Sequence, residues 1–245
     1  MWRWIRIAWI AAGLGSIAWL VNGIQVTDLP DEMYRAMPDI EIERYPMESR
    51  FTPKNHGKAV SLVFFPGAMV DPLSYDPLAR RMARAGYPVI VLHLPQRLAF
   101  GSHMDLLMSR TLDKVRTGRW ALAGHSRGAV AAATFAHLHP DKVAGLILMG
   151  TTHPRDFDLS GVRFPVTKIL ASRDGVAPLA QSRANQGYLP PSTRFVTIEG
   201  GNHAQFGYYR YQLFDGKATI SREEQQQQLT GAMLAALEEI EKNQP

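Results

Sequence analysis

A serine flanked by glycines has the residue types and spacing of a nucleophile turn. Gly124-His125-Ser126-Arg127-Gly128 follows the short apolar stretch Trp120–Ala123 and precedes a segment rich in alanine. A serine in a sharp turn between a strand and a helix projects its hydroxyl above the sheet, and the flanking glycines leave room for both neighbours. The alternative is an ordinary turn in which Ser126 caps the following helix. The context favours a nucleophile.

A base and an acid for this serine follow later predicted strands. A serine hydroxyl is a weak nucleophile until a base takes its proton, and the base needs a third group to orient it. Asp174 follows the predicted strand Val166–Ala171, and His203 follows the predicted strand Thr193–Ile198. The carboxyl ends of parallel strands meet at one edge of a sheet. We therefore predict a catalytic triad of Ser126, Asp174 and His203. The alternatives are a turn-forming aspartate and a loop histidine.

Other acids and histidines compete for these roles. Asp156 and Asp158 follow the preceding strand, where some related folds carry the acid. His125 adjoins the nucleophile, but we expect its side chain to point away from Ser126 and to pack. Four further histidines show no pairing with acids at the spacing of metal ligands: His93, His137, His139 and His153. The sequence therefore predicts no metal and no cofactor.

Backbone N–H groups are expected to stabilise the oxyanion that forms when a serine attacks a carbonyl carbon. One such group belongs to the residue after the nucleophile, which is Arg127. The second comes from the loop after the first buried strand, and the best candidate is Ala68, with Met69 as the alternative. A simple Pro66-Gly67 turn is the competing interpretation of that loop.

The elements that must position these residues form an alternating series. Apolar runs predict strands at Ala59–Phe65, Pro88–Leu94, Trp120–Ala123, Val143–Met149, Val166–Ala171 and Thr193–Ile198. Helices are predicted after Asp76-Pro77 (an N-cap and an N1 proline), over Met104–Val115, Arg127–His139 and Leu179–Gly187, and after the capping box Ser221-x-x-Glu224. Strands that are apolar throughout and are separated by helices indicate a parallel sheet covered on both faces. The fold class is α/β, a doubly wound, mostly parallel sheet.

Composition excludes several classes of protein. The chain has 245 residues, 46% of them hydrophobic, which is typical of a globular protein. Zero cysteines exclude a disulfide scaffold, a thiol nucleophile and a thiolate zinc site. The net charge is +5, but the lysines and arginines are scattered and form no basic recognition helix. Nucleic-acid binding is therefore not expected.

The N-terminus has the pattern of a membrane signal. Residues 7–24 carry no charge, and 18 residues of helix span about 27 Å, close to the hydrocarbon core of a bilayer. Arg3 and Arg6 precede this stretch and Asp28 follows it, so the N-terminus should lie in the cytoplasm and the rest outside. We predict an uncleaved single-pass anchor. The alternatives are signal cleavage near Ser16-Ile17-Ala18, with secretion, and a buried amphipathic start.

Three segments follow from these patterns. Residues 1–24 are the predicted anchor, residues 25–57 a tether with one or two edge strands, including the alternating Ile40–Tyr45, and residues 58–245 the catalytic domain. Only 16 residues separate Met149 from Val166, too few for a helical cap. The sequence thus predicts an open site with at most a minimal cap, suited to an ester or amide at a surface.

These motifs together resemble the α/β-hydrolase superfamily and, more narrowly, its small bacterial subgroup called α/β hydrolase fold-5. The matching stretches are 65–72, 124–128, 172–177, 200–208 and 215–225, and similarity extends from residue 58 to residue 240. The resemblance implies an α/β-hydrolase fold with a triad at Ser126, Asp174 and His203. It says little about substrate, because the superfamily spans many reactions.

The predicted nucleophile turn, residues 124–128, and the residue after it depart from the usual pattern of the subgroup at two positions. Arg127 and Ala129 replace a leucine and a glycine of the usual pattern. Ala129 is a mild change. Arg127 places a cation in the first turn of a helix, where the dipole disfavours it by a few tenths of a kcal/mol. Three interpretations of Arg127 stay open: its side chain faces solvent, it pairs with a carboxylate, or it attracts an anionic substrate.

Three functions remain open on the sequence. The first is a membrane-tethered, extracytoplasmic serine hydrolase that cleaves a small-molecule or lipid-like carboxylic ester through an acyl-enzyme. The second is an acyltransferase or amidase that acts on envelope material with the same triad. The third is a binding module with a vestigial triad. The oligomeric state is not predictable from these residues.

Overall fold

A computed structural model of the chain describes residues 2–55, 57–94, 97 and 120–243, and its centre is one eight-stranded sheet. The strands are β1 (Ile40–Tyr45), β2 (Glu48–Pro53), β3 (Ser61–Phe65), β4 (Val89–Leu92), β5 (Trp120–His125), β6 (Val143–Met149), β7 (Val166–Ala171) and β8 (Arg194–Ile198). Their order across the sheet is β1-β2-β4-β3-β5-β6-β7-β8. β1 and β2 are antiparallel to their neighbours, and β4, β3 and β5 to β8 run parallel to one another.

Helices cover both faces of this sheet. They are α2 (Asp76–Arg84), α3 (Arg127–Leu138), α4 (Leu179–Ala184) and α5 (Arg222–Lys242), whereas the N-terminal helix α1 (Trp2–Gly23) lies outside these layers. Alternate residues of each strand reach opposite faces. Leu62 and Phe64 belong to the core with α2 and α5, whereas Val63 and Phe65 belong to the core with α3. This doubly wound, mostly parallel sheet confirms the predicted fold class.

Strand register brings the ends of several strands to one level. Phe65 pairs with Gly124, and His125 pairs with Met149. On the other side, Ala171 of β7 pairs with Ile198 of β8. The loops after β3, β5, β7 and β8 therefore start side by side at the carboxyl edge of the sheet. Residues 150–165, between β6 and β7, contain no helix.

One predicted helix start is wrong. Asp76 is the first residue of α2 and not its N-cap, and Tyr75 precedes it with no side-chain cap. The Asp76 carboxylate is buried and pairs with Arg44 of β1, because the antiparallel β1–β2 hairpin brings that arginine over the helix start. Ser221 does cap α5, since its Oγ accepts the Glu224 N–H at 3.1 Å. The predicted helix Met104–Val115 lies outside the described residues.

The N-terminal helix α1 is exposed to solvent along its described length except at Gly23. It is long and apolar enough to cross a membrane, and a signal sequence has the same properties. Its C-terminal end contacts the domain: the Tyr211 N–H donates to the Gly23 carbonyl at 3.0 Å, and Val26 forms an isolated bridge with Tyr209.

A lysine lies inside the sheet. Lys168 of β7 is fully buried, and its Nζ donates to the carbonyl oxygens of His153 at 3.0 Å and Ser182 at 3.3 Å. No carboxylate pairs with it among the described residues. Burial lowers the pKa of Lys168 from 10.5 to about 8, because an ammonium ion loses its hydration there.

This lysine predicts a stability that rises with pH. Between pH 8 and 10.5 the unfolded chain binds more protons at Lys168 than the folded chain does, so the free energy of unfolding increases with pH. We expect a gain of about 2 kcal/mol from pH 7 to pH 9.5 in urea unfolding of the detergent-solubilised protein. The matched Lys168→Met variant should lack this gain. Equal slopes in the two proteins would contradict the assignment.

Candidate active site

The turn that holds Ser126 is strained. Ser126 lies between β5 and α3 with φ 55° and ψ −122°, a region that residues other than glycine rarely adopt. Its backbone N–H donates to the Met149 carbonyl at 2.9 Å, which ties the turn to β6. The Ser126 hydroxyl forms no hydrogen bond with another described side chain. Catalytic hydrogen bonds are often long before substrate binds, so this does not count against a nucleophile.

Close backbone contacts explain both glycines of the motif. A Cβ on Gly128 would lie 2.1 Å from the Phe65 carbonyl oxygen, and one on Gly124 would lie 2.6 Å from the Ala129 nitrogen. Neither backbone segment can move aside without breaking the sheet or the first turn of α3. Gly128 therefore lets the serine turn lie directly against the end of β3, and Gly124 leaves room for the first turn of α3.

His203 and Asp174 form a buried pair at the same edge. The His203 Nδ1–H donates to the Asp174 Oδ2 at 2.8 Å, and 1% of each side chain is exposed. The other carboxylate oxygen of Asp174 accepts the N–H groups of Val176 at 2.9 Å and Ala177 at 2.6 Å. Because the carboxylate can only accept, Nδ1 carries the proton, and Nε2 is the nitrogen that can take a second one.

The two competing acids have other partners. Asp156 is exposed and lies 3.1 Å from the Nε2 of His153. Asp158 accepts the N–H and the hydroxyl of Ser160 at 2.7 and 3.0 Å. The geometry therefore favours Asp174 as the partner of His203, and the triad assignment stays a prediction.

His125 packs inside the domain, and its position links the loop after β3 to His203. Its Nδ1 lies 2.8 Å from the Tyr75 hydroxyl, and its ring centroid is 4.5 Å from that of His203. The Tyr75 oxygen in turn accepts the Gly67 N–H at 3.1 Å. Burial lowers the pKa of His125 well below its usual range, and His203 adds to the effect. A neutral His125 does not repel a positive charge on the neighbouring imidazole.

The loop after β3 distinguishes the two oxyanion candidates. The Met69 N–H donates to the Arg97 carbonyl at 2.6 Å, so it is already engaged. The Gly67 N–H is engaged by Tyr75, and the Val70 N–H by the Gly67 carbonyl at 3.2 Å. Ala68 has the one backbone N–H of residues 67–70 without an acceptor among the described residues. This favours Ala68 over Met69. Arg127 begins α3, where the positive end of the helix dipole lies.

A cavity of about 590 Å³ borders this loop on the side of β2 and β4. Its lining includes Met47, Leu73 and Leu94, together with Arg44 and Arg97. Both arginines are neutralised, since Arg97 pairs with Asp71 at 2.7 Å and Arg44 with Asp76. The wall of the cavity therefore combines apolar side chains with paired charges and His93.

Asp215 joins the acid loop to the histidine loop, a role that sequence analysis missed. Its Oδ1 accepts the N–H groups of His203 at 3.1 Å and Gly175 at 3.3 Å, and its Oδ2 accepts that of Ala204 at 2.8 Å. Burial raises the pKa of Asp215, and these N–H groups oppose the rise. The Asp215-Gly216 step in the matching stretch 215–225 was the available signal, but nothing in it indicated the partners. Asp215 is a positioning residue.

Asp215→Asn should therefore impair catalysis without unfolding the protein. An asparagine loses one acceptor and the charge, so both loops shift, and we expect kcat/KM for an ester to fall by about 10-fold to 10²-fold. The acid limb of the pH profile should also move to lower pH, because one negative charge near the His203 imidazolium is gone. A merely structural role would lower activity and leave that limb in place. Asp158→Asn is the control.

Comparisons with known proteins agree with this architecture. The model of a family described as the alpha/beta hydrolase family matches residues 61–227. A protein of Mycobacterium phage D29 named as a non-heme haloperoxidase is 31% identical over 101 residues, 38% of this chain and 36% of that one. The chain thus aligns with about a third of that relative's length.

Solved structures share the fold at low sequence identity. A CIB-like hydrolase of Thermoplasma acidophilum has a TM-score of 0.61 and 16% identity, covering 79% of this chain and 98% of the other. A thermophilic esterase of Thermogutta terrifontis has a TM-score of 0.58 and 16% identity, with 84% and 96% covered. At this identity the likeness concerns the fold alone.

Proposed function

Because the chain belongs to the alpha/beta hydrolase family, we propose that it is a serine hydrolase that cleaves carboxylic esters with Ser126, His203 and Asp174. The observation that supports this most is the buried 2.8 Å hydrogen bond from His203 to Asp174. It lies at the sheet edge where a strained turn carries Ser126. Strain at a polar residue in such a turn is typical of functional sites.

The proposed reaction has two halves. The Ser126 Oγ attacks the ester carbonyl carbon while His203 Nε2 takes the hydroxyl proton, and Asp174 stabilises the imidazolium. The N–H groups of Ala68 and Arg127 stabilise the oxyanion. Collapse breaks the bond between the acyl carbon and the alcohol oxygen, and His203 returns the proton to the alcohol. Water then attacks the acyl-enzyme, with His203 as base, and releases the carboxylic acid.

A burst experiment tests this mechanism. With a nitrophenyl ester of a short acid, we expect a burst of nitrophenol that approaches one equivalent per enzyme, followed by slower steady turnover. When a primary alcohol or amine is added, we expect most of the acyl group still to be transferred to water, so that the free acid is the main product. Predominant transfer to the acceptor would instead favour the acyltransferase hypothesis. No burst and no turnover would favour a binding module.

We further propose that α1 is an uncleaved anchor with the catalytic domain outside the cytoplasm. Support comes from Arg3 and Arg6 before the apolar stretch and from Asp28, Asp31 and Glu32 after it. A phosphatase reporter fused after Pro245 should be active, and the protein should sediment with membranes. Recovery of the full chain in the cytosolic fraction would contradict both the membrane anchor and the location of the domain outside the cytoplasm. A soluble exported form that begins near Trp19 would indicate cleavage.

A further inference from the structure

We infer that the carboxyl edge of the sheet rests on the lipid bilayer and that the substrate is a long-chain acyl ester taken from it. This inference rests on the proposed ester hydrolysis and adds the substrate class and the surface that admits it. It depends on an apolar rim around the candidate site, made of Met69, Val176, Leu213 and Phe214, and on the point where α1 joins the domain.

Each residue of the apolar rim adjoins the candidate site. Met69 follows Ala68 in the loop after β3, and 46% of its surface is exposed. Val176 follows the acid loop, and its N–H bonds to Asp174. Leu213 and Phe214 directly precede Asp215, and the Phe214 carbonyl would lie 2.3 Å from a Cβ on Gly175. The rim thus includes residues from the loop after β3, from the acid loop and from the segment that leads to Asp215.

Phe214 is costly in two ways for a soluble surface. Its exposed fraction is 83%, the highest among the large hydrophobic side chains that the structure describes. Its φ of +67° is a conformation that bulky residues rarely adopt. A strained backbone that presents an aromatic ring to solvent indicates a role for the ring outside the domain.

The end of α1 meets the domain beside this rim. The Ile24 carbonyl accepts the Asp71 N–H at 3.4 Å, two residues after Met69. On the other side, the ring centroids of Trp19 and Tyr211 are 4.5 Å apart, and Tyr211 lies two residues before Leu213. Among the described residues of α1, the contacts with the domain lie between Trp19 and Gly23.

A bilayer is therefore the occupant that fits the rim. If the exposed apolar length of α1 lies in lipid, the membrane surface passes close to Trp19 and Tyr211, a depth at which aromatic rings are favoured. The rim residues then meet the headgroup region, because Ile24 and Val26 contact the domain directly after the end of α1. An acyl ester in that leaflet reaches Ser126 without crossing water.

The absence of cysteine in the chain permits a direct test of the contact. Phe214→Cys carries a nitrobenzoxadiazole label in the full chain, reconstituted in phosphatidylcholine vesicles. The control is Asp141→Cys, an exposed position before β6 at the opposite edge of the sheet. We expect lipid-attached nitroxide to quench the label at 214 at least about fivefold more than the label at 141, with iodide showing the reverse order. Equal quenching by both agents at both sites would overturn the inference.

A second test concerns the substrate. Asn tolerates the positive φ at position 214, so Phe214→Asn removes the ring without adding backbone strain. With methylumbelliferyl palmitate in the vesicles we expect at least about a tenfold lower rate, and with the soluble acetate ester a rate within about twofold of the wild type. Leu138→Asn is the control, because Leu138 is 55% exposed at the far end of α3.

The outcomes separate the two proposals. Normal acetate turnover together with an unchanged palmitate rate in Phe214→Asn would overturn the bilayer substrate and leave the ester hydrolase intact. No acetate turnover by the wild-type protein would overturn the proposed function and the substrate class with it. The quenching experiment decides the membrane contact in either case.

Discussion

Replacing Ser126 with alanine is expected to lower kcat for ester hydrolysis by at least about 10⁴-fold, which corresponds to about 5.5 kcal/mol of transition-state stabilisation. The change removes the only hydroxyl of the strained turn and leaves the core untouched. Initial rates with the acetate ester measure the effect. Turnover within tenfold of the wild-type rate would contradict the nucleophile assignment.

A glycine at the same position is the matched control for folding. Ser126 has φ 55°, which glycine adopts without strain, so Ser126→Gly should lose activity as alanine does and raise the melting temperature. If both variants lose activity and Ser126→Gly also melts at a higher temperature, the loss of activity is due to the missing hydroxyl and not to misfolding.

The second large effect concerns the acid. Asp174→Asn leaves an amide that carries no charge to stabilise the His203 imidazolium and can orient the wrong tautomer. In serine proteases, replacing the aspartate of the Ser-His-Asp triad with asparagine lowers kcat about 10⁴-fold. We therefore expect Asp174→Asn to lower kcat at least about 10²-fold. The buried 2.8 Å contact between Asp174 and His203 is the reason for a large effect.

The two other acids provide the comparison. Asp156→Asn and Asp158→Asn should each cost less than about tenfold, because their carboxylates bond to His153 and Ser160 instead of His203. All three variants need equal folding, checked by thermal melting. If Asp158→Asn showed the largest loss of kcat, the acid of the triad would belong to the loop after β6, and our interpretation of the Asp174-Gly175 turn would be wrong.

Sequence patterns predicted the central sheet well. β6 and β7 begin and end at the predicted residues, and both are buried along their whole length. β2 was harder to locate, because Glu48–Pro53 carries two charged residues and a proline, and its place depends on pairing with β1 and β4. A hairpin edge strand has a weak pattern of its own.

Contacts between segments that are distant in the chain could not be predicted from sequence patterns. The role of Asp76 was misassigned because Arg44 of β1 reaches it only in the folded protein. The choice between Ala68 and Met69 required the Arg97 carbonyl that engages the Met69 N–H. Asp215 accepts N–H groups from two loops that are far apart in the chain. Local patterns carry no information on such partners.

The site of covalent modification tests the central claim most directly. A fluorophosphonate reacts with a serine that a neighbouring base activates, and the adduct can be located by mass spectrometry of proteolytic peptides. We predict one adduct per chain, on Ser126, and its absence in Ser126→Ala and strong reduction in Asp174→Asn. An adduct on another serine, or an unlabelled wild-type protein that is folded, would contradict a nucleophile at Ser126.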